Sequence, residues 1–195
     1  MDEAKTGNVS FQHYDYEVIA DDRRAAQLGL VTLETDLTIE DELRFFFAGP
    51  PTGVYKGGLS LLHSRIPCGD QVTAENLQRM EGHFAASLAL FPPGHAFDVI
   101  GYGCTSASLL IGADKVEALV TKQIEVPHVT TPITAAKRAL GKLGAKRIGY
   151  LAPYISEISA QMCANFEADG FAVGAAATFG EGQDSVVGRI SPSSI

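Results

Sequence analysis

Short apolar runs rich in Val, Leu and Ile alternate along this chain with longer stretches whose apolar residues recur at helical spacing. That alternation is the pattern of a parallel sheet covered by helices, so the predicted class is α/β. The runs predict strands over Ala26–Leu33, Gly58–His63, Phe97–Tyr102, Val126–Thr130, Arg147–Leu151 and Phe171–Ala177. Residues 1–24 lack such a run and read as a loose N-terminal arm.

The intervening helices carry start and stop signals. Thr38 with Asp41 forms a short-acid variant of the capping box ahead of Leu43 and Phe47, while Thr73 opens a helix with Leu77, Met80, Phe84 and Leu88 on one face. Thr131 followed by Pro132 is an N-cap with proline at the first helical position, and Gly144 stands where a C-terminal glycine belongs. Another helix starts at Ser156 and ends before Gly170.

One self-similarity organises the chain. AQLGLVTLETD from Ala26 matches AKRIGYLAPYIS from Ala145, each a strand centred on a glycine, then a loop and a helix, with Gly29 and Gly149 120 positions apart. A duplicated α/β unit is expected, the first over residues 25–125 and the second over 126–195. The second copy lacks a counterpart of Phe97–Tyr102 and the helix after it, and the chain stops where Ser191-Pro192 signals a helix start, so this copy is expected to be truncated.

Composition narrows the partners. With 46% apolar residues the chain is no disordered segment, and 15 basic against 23 acidic residues give a formal charge of −8, which does not suit nucleic acid or an anionic bilayer. The longest uncharged stretch, Val99–Ala113, is broken by glycines and hydroxyls, so no membrane span is expected; the mean hydropathy is +0.08. The acidic, polar N-terminus lacks the basic start and apolar run of a secretory signal, and three cysteines cannot all pair, so a reducing cytoplasm is the expected location.

The stretch with most chemistry is Phe97–Gly112. A buried strand ends at Gly103, and Cys104 occupies the turn before a helix beginning near Ser106. Open α/β sheets bind ligands at the carboxyl ends of their strands, where the amides of the next helix point outward. The partial positive charge at that helix terminus is expected to stabilise a thiolate and lower the Cys104 pKa below about 8.5, with Thr105 and Ser106 supplying donors for a carboxylate. Cys163 lies in a helix among Met162 and Phe166 and reads as packing; Cys68, after Pro67, reads as an exposed, incidental loop residue. Arg65 closes the second predicted strand, where it either anchors an anion or stands solvated. The five histidines show no HxxxH or HExxH spacing, and GYGCTS lacks the Lys-Ser/Thr of a P-loop, which argues against metal catalysis and nucleotide binding.

The run GYGCTSAS, with TTPITAA at Thr130–Ala136 and LAPY at Leu151–Tyr154, resembles the aspartate/glutamate racemase superfamily over residues 25–195, within the branch of maleate cis-trans isomerases, arylmalonate decarboxylases and ectoine-utilisation proteins. The resemblance implies two similar flavodoxin-like parallel-sheet domains with a cleft between them, and cofactor-free chemistry at the carbon beside the carboxylate of a small acid. Such an enzyme works as an isomerase or racemase through a cysteine thiolate; a decarboxylase of malonate-type acids and a non-catalytic small-acid binding module are the alternatives. Cys104 matches the first family cysteine, which takes a proton or adds to an alkene carbon. The second would fall near position 224. Leu33, Glu34, Thr35 and Asp36 stand in the family's carboxylate clamp, while Tyr154, Thr130 and Thr131 match its further carboxylate contacts.

Asp36 departs from the asparagine found there in maleate isomerases. A carboxylate facing a carboxylate costs energy, so Asp36 points to an amino- or amide-bearing substrate unless it simply caps the helix after it. A small carboxylate is the expected ligand, no cofactor or metal is expected, and a homo-oligomer is left open.

Overall fold

The computed structural model describes residues 11–18, 26–47 and 59–195. Of the predicted arm, residues 11–18 are exposed and without regular secondary structure; the rest of it, like Gly58 at the head of the second predicted strand, lies outside the described residues.

Two parallel sheets carry the architecture. In the first, β1 (Ala26–Leu33), β2 (Leu59–Ile66), β3 (Val99–Tyr102) and β4 (Val129–Thr130) lie in the order β2-β1-β3-β4. β1 is flanked on both sides, pairing Ala26 through Leu33 with Leu59 through Ile66 and Leu28 through Val31 with Val99 through Tyr102. Its residues from Gln27 to Leu33 are accordingly all buried, as a central strand of a covered sheet requires. The second sheet is the parallel pair of β5 (Arg147–Tyr154) and β6 (Ala172–Glu181).

The strands sit where the apolar runs place them, with shifts at the ends. β2 runs on to Ile66 and β5 to Tyr154, while β4 shrinks to two residues because Pro127 has no N–H to offer a ladder. β4 also joins the first sheet, Ile100 and Gly101 pairing with Val129 and Thr130, although the repeat puts Val126 at the head of the second unit.

The helices begin and end on short-range chemistry. Thr73 accepts from the Asn76 amide and opens α2 (Ala74–Arg79); a 3-10 turn over Met80–His83 then leads into α3 (Phe84–Leu88). The predicted stripe of Leu77, Met80, Phe84 and Leu88 is buried throughout. Thr131 accepts from the Thr134 amide at the start of α6 (Pro132–Lys142), and Gly144, at φ +67°, closes it with amide bonds from Gly144 to Gly141 and from Ala145 to Leu140. At α1 (Ile39–Phe47) the capping differs from the predicted Thr38–Asp41 box: the Asp36 carboxylate takes the Thr38 and Ile39 amides, both at 2.9 Å.

The main core joins the first sheet to α2, α3, α4 (Thr105–Ile111) and α5 (Ala113–Thr121), with Phe84 stacked obliquely on Tyr102 at 4.7 Å between ring centroids. A smaller core of Ile133, Met162, Phe166 and Phe171 sits between β5, β6, α6 and α7 (Ser156–Ala168). Among the described residues no helix is long and apolar enough to cross a membrane. Because Phe84 is fully buried, Phe84→Ala is expected to cost about 3–5 kcal/mol, read as a lower urea midpoint with an unchanged slope. A loss below about 1 kcal/mol would contradict this packing.

Candidate active site

The first sheet delivers a cysteine to its carboxyl edge. Beyond the last residue of β3 the ladder continues for one bond, the Gly103 amide donating to the Val31 carbonyl at 2.7 Å. Gly103 is held so close to its neighbours that a Cβ there would lie 3.0 Å from Ile39 Cδ1 and 3.4 Å from Leu30 Cδ1, so a side chain would need the tip of Ile39 to give by a few tenths of an ångström. Cys104 follows in extended conformation and caps α4, its sulfur accepting from the Ala107 amide at 3.4 Å and lying 3.7 Å from Ser106 Oγ. Its carbonyl takes the Ser108 amide and hydroxyl.

Cys104 is only 3% exposed, and this reverses the expected electrostatics. Burial pushes the Cys104 thiol up to about 11; the Ala107 amide and the Ser106 hydroxyl pull it back, and Asp184 and Cys68 push it further up. The helix terminus does favour the anion, as predicted, but desolvation outweighs it. At neutral pH Cys104 therefore rests as the protonated thiol.

Cys104 lines a cavity of about 280 Å³. One wall is the loop from β1 to α1, with Thr35, Asp36 and Ile39; another is the turn from β3, with Cys104, Thr105 and Ser106. Tyr154 at the end of β5, Pro132 at the start of α6, and Asp184 with Val187 of α8 (Asp184–Val187) close the rest. Of the predicted site residues, Cys104, Thr35, Asp36, Thr105, Ser106 and Tyr154 thus meet around one space.

Their bonds explain the positions. The Tyr154 carbonyl accepts from the Ser159 and Thr178 hydroxyls, pinning the end of β5, while burial pushes the phenol above its ordinary value and the Thr105 side chain pulls it partly back. Thr35 donates its hydroxyl to the Asp184 carboxylate and lies 3.4 Å from Cys68 Sγ. Asp36 both lines the cavity and caps α1, so the capping alternative describes a bond that it makes.

Arg65, Thr130 and Thr131 are not brought to the cavity. The exposed Arg65 guanidinium reaches behind the β1–α1 loop, donating to the carbonyls of Leu33 and Asp36 at 2.9 and 2.8 Å and pairing with Glu40 at 2.8 Å, which makes it a brace for that loop. Thr131 spends its hydroxyl on capping α6, and Thr130 is a β4 ladder residue beside Gly101. Cys68 is buried against Thr35 instead of exposed, because the Glu34 carboxylate accepts the Cys68 and Gly69 amides and folds their loop inward; those amides hold Glu34 below its usual range.

Asp184 is the residue that sequence reasoning misses. It stands 149 positions from Thr35, and what carries it to the cavity is tertiary: Val72 and Asp184 amides donate to the Gly182 and Asp70 carbonyls, and the Ser185 amide donates to the Asp70 carboxylate. An acid standing between Gly182 and the apolar Val186-Val187 is a faint local signal. Burial pushes the Asp184 carboxyl up, the Thr35 hydroxyl pulls it back, and Asp36 and Asp70 add to the rise. Among the described residues no group of three His, Cys, Asp or Glu side chains is placed to hold a metal ion.

No family model and no curated protein matches the sequence. Solved structures do match in fold. A variant of the Nocardia farcinica maleate cis-trans isomerase, with serine for one cysteine and a covalently bound succinylcysteine intermediate, superimposes with a TM-score of 0.78 at 22% identity, over 87% of this chain and 70% of that one. The maleate isomerase Iso from Pseudomonas putida gives 0.75 at 21%, over 87% and 70%. A liganded double variant of arylmalonate decarboxylase gives 0.64 at 18%, over 87% and 68%. The chain therefore has the fold that its motifs resemble, the flavodoxin-like fold of these racemase-superfamily enzymes.

The buried sulfur has a measurable signature. Alkylation of the Cys104 peptide by iodoacetamide, followed by mass spectrometry, is expected to keep accelerating past pH 10 toward a midpoint near 11. A rate that levels off below about pH 8 would mean that the amides outweigh burial after all.

Proposed function

We propose that this chain is a cofactor-independent enzyme of the isomerase or racemase type, acting at the carbon beside the carboxylate of a small acid with Cys104 as the reacting group. The observation that carries the reading is the placement of Cys104 at the carboxyl end of β3, in the wall of a cavity that Thr35, Thr105, Ser106 and Tyr154 also line. The covalent succinylcysteine in a protein of the same fold supports it, because it joins a cysteine to the carbon skeleton of a small diacid.

A protonated thiol suits the addition route. In the addition route the S–H bond breaks as sulfur bonds one alkene carbon and the proton goes to the other; rotation about the new single bond and reversal of both steps return the isomer. In the exchange route the thiolate form takes the proton from the carbon beside the carboxylate, the C–H electron pair moving into an enediolate, and the thiol so formed returns a proton to that carbon. The addition route starts from the protonated form in which burial leaves Cys104, whereas the exchange route needs the thiolate first. The Ser106 hydroxyl at 3.7 Å and the Ala107 amide at 3.4 Å are placed to stabilise sulfur while it is anionic.

A second reading has its own support. Among the described residues lining the cavity, Cys104 is the one cysteine, and decarboxylation of a malonate-type acid needs a single thiol to protonate the carbanion left when CO2 departs.

The test is proton NMR in D2O of the purified chain with a panel of small 2-substituted acids, unsaturated diacids and malonates. Exchange at the carbon beside the carboxylate, isomerisation or CO2 loss is expected in at least one, and Cys104→Ser is expected to slow it at least a thousandfold. Because serine can also cap α4, the variant should unfold within a few degrees of the parent. Turnover unchanged in Cys104→Ser would show that the sulfur only packs.

A further inference from the structure

We infer that Asp184 is a specificity-determining residue that anchors an ammonium group, so that the cavity takes a zwitterionic amino-substituted monoacid in preference to a dianionic diacid. This rests on the proposed reading of the cavity as a substrate site and narrows its substrate class. The charged side chains lining the cavity are Asp36, Glu42 and Asp184, all acidic, and none of the described lining residues is Lys, Arg or His. The nearby guanidinium of Arg65 is turned away, bonded to loop carbonyls and paired with Glu40. A dianion entering this space would meet carboxylates and, among the described lining residues, no compensating cation, whereas an ammonium beside them gains attraction in a partly desolvated site.

Asp184 is the best placed of the three to hold that ammonium. Glu42 is exposed, and Asp36 spends Oδ1 on two backbone amides. Asp184 is partly buried and held by the Thr35 hydroxyl on one of its oxygens, which fixes its direction and leaves acceptor capacity for the three donors of an ammonium. The ligand's single carboxylate then falls to the hydroxyls of Thr105, Ser106 and Tyr154 on the walls built by the β3 turn and the end of β5.

Calorimetric titration with three four-carbon acids, butyrate, 2-aminobutyrate and succinate, separates the charges at nearly constant size. The wild type is expected to bind 2-aminobutyrate at least tenfold more tightly than butyrate, and succinate most weakly. Asp184→Asn should erase most of that advantage, and Asp184→Glu, which keeps the charge, should retain it; circular dichroism checks that both variants fold. Succinate binding wild type as tightly as 2-aminobutyrate, or an advantage unchanged in Asp184→Asn, overturns the inference and leaves the cavity as a substrate site. Binding of none of the three overturns both.

Discussion

The hydrogen bond from the Gly103 amide to the Val31 carbonyl is the constraint on which the site depends. It extends the central ladder by one residue and fixes where strand becomes helix, so that Cys104 leaves the sheet in extended conformation with its sulfur turned onto the first amides of α4. Two opposed forces then act on one atom. The helix terminus favours the anion, the core beneath it favours the neutral thiol, and at 3% exposure the core prevails. The result is a sulfur that rests as the neutral thiol in the wall of the cavity.

The cavity is built by segments far apart in the chain. Arg65 holds the β1–α1 loop from outside, Glu34 gathers the loop at Cys68, and that loop in turn receives the segment bearing Asp184 through bonds at Asp70 and Val72. Each link joins a polar side chain or an end-of-strand backbone group to a loop, so the order of the site derives from hydrogen bonds at the sheet edge, while the packed aromatic core below holds the edge itself.

Much of this was legible in the sequence wherever the physics is local. The apolar run of Ala26–Leu33 coincides with β1 to the residue, the caps at Thr73 and Thr131 depend on side chains three residues from their partners, and a cysteine after a glycine at a strand end lands at the carboxyl edge of any parallel sheet. Properties set by distant residues were not legible. The direction of the Cys104 shift depends on how deeply the core covers it, the place of Arg65 on which carbonyls the β1–α1 loop turns outward, and the arrival of Asp184 on a contact across 149 positions. Asp36 lies between these cases: capping was foreseeable from its place ahead of Thr38, while its share in the cavity wall needed the fold.

The central claim is that the Cys104 sulfur is the atom that meets the substrate. A crystal structure of the protein soaked with a small 2-substituted acid at neutral pH tests it most directly. The account predicts the acid in the cavity, its carbon beside the carboxyl within about 4 Å of Cys104 Sγ. An acid bound elsewhere, with the cavity holding water alone, would contradict it.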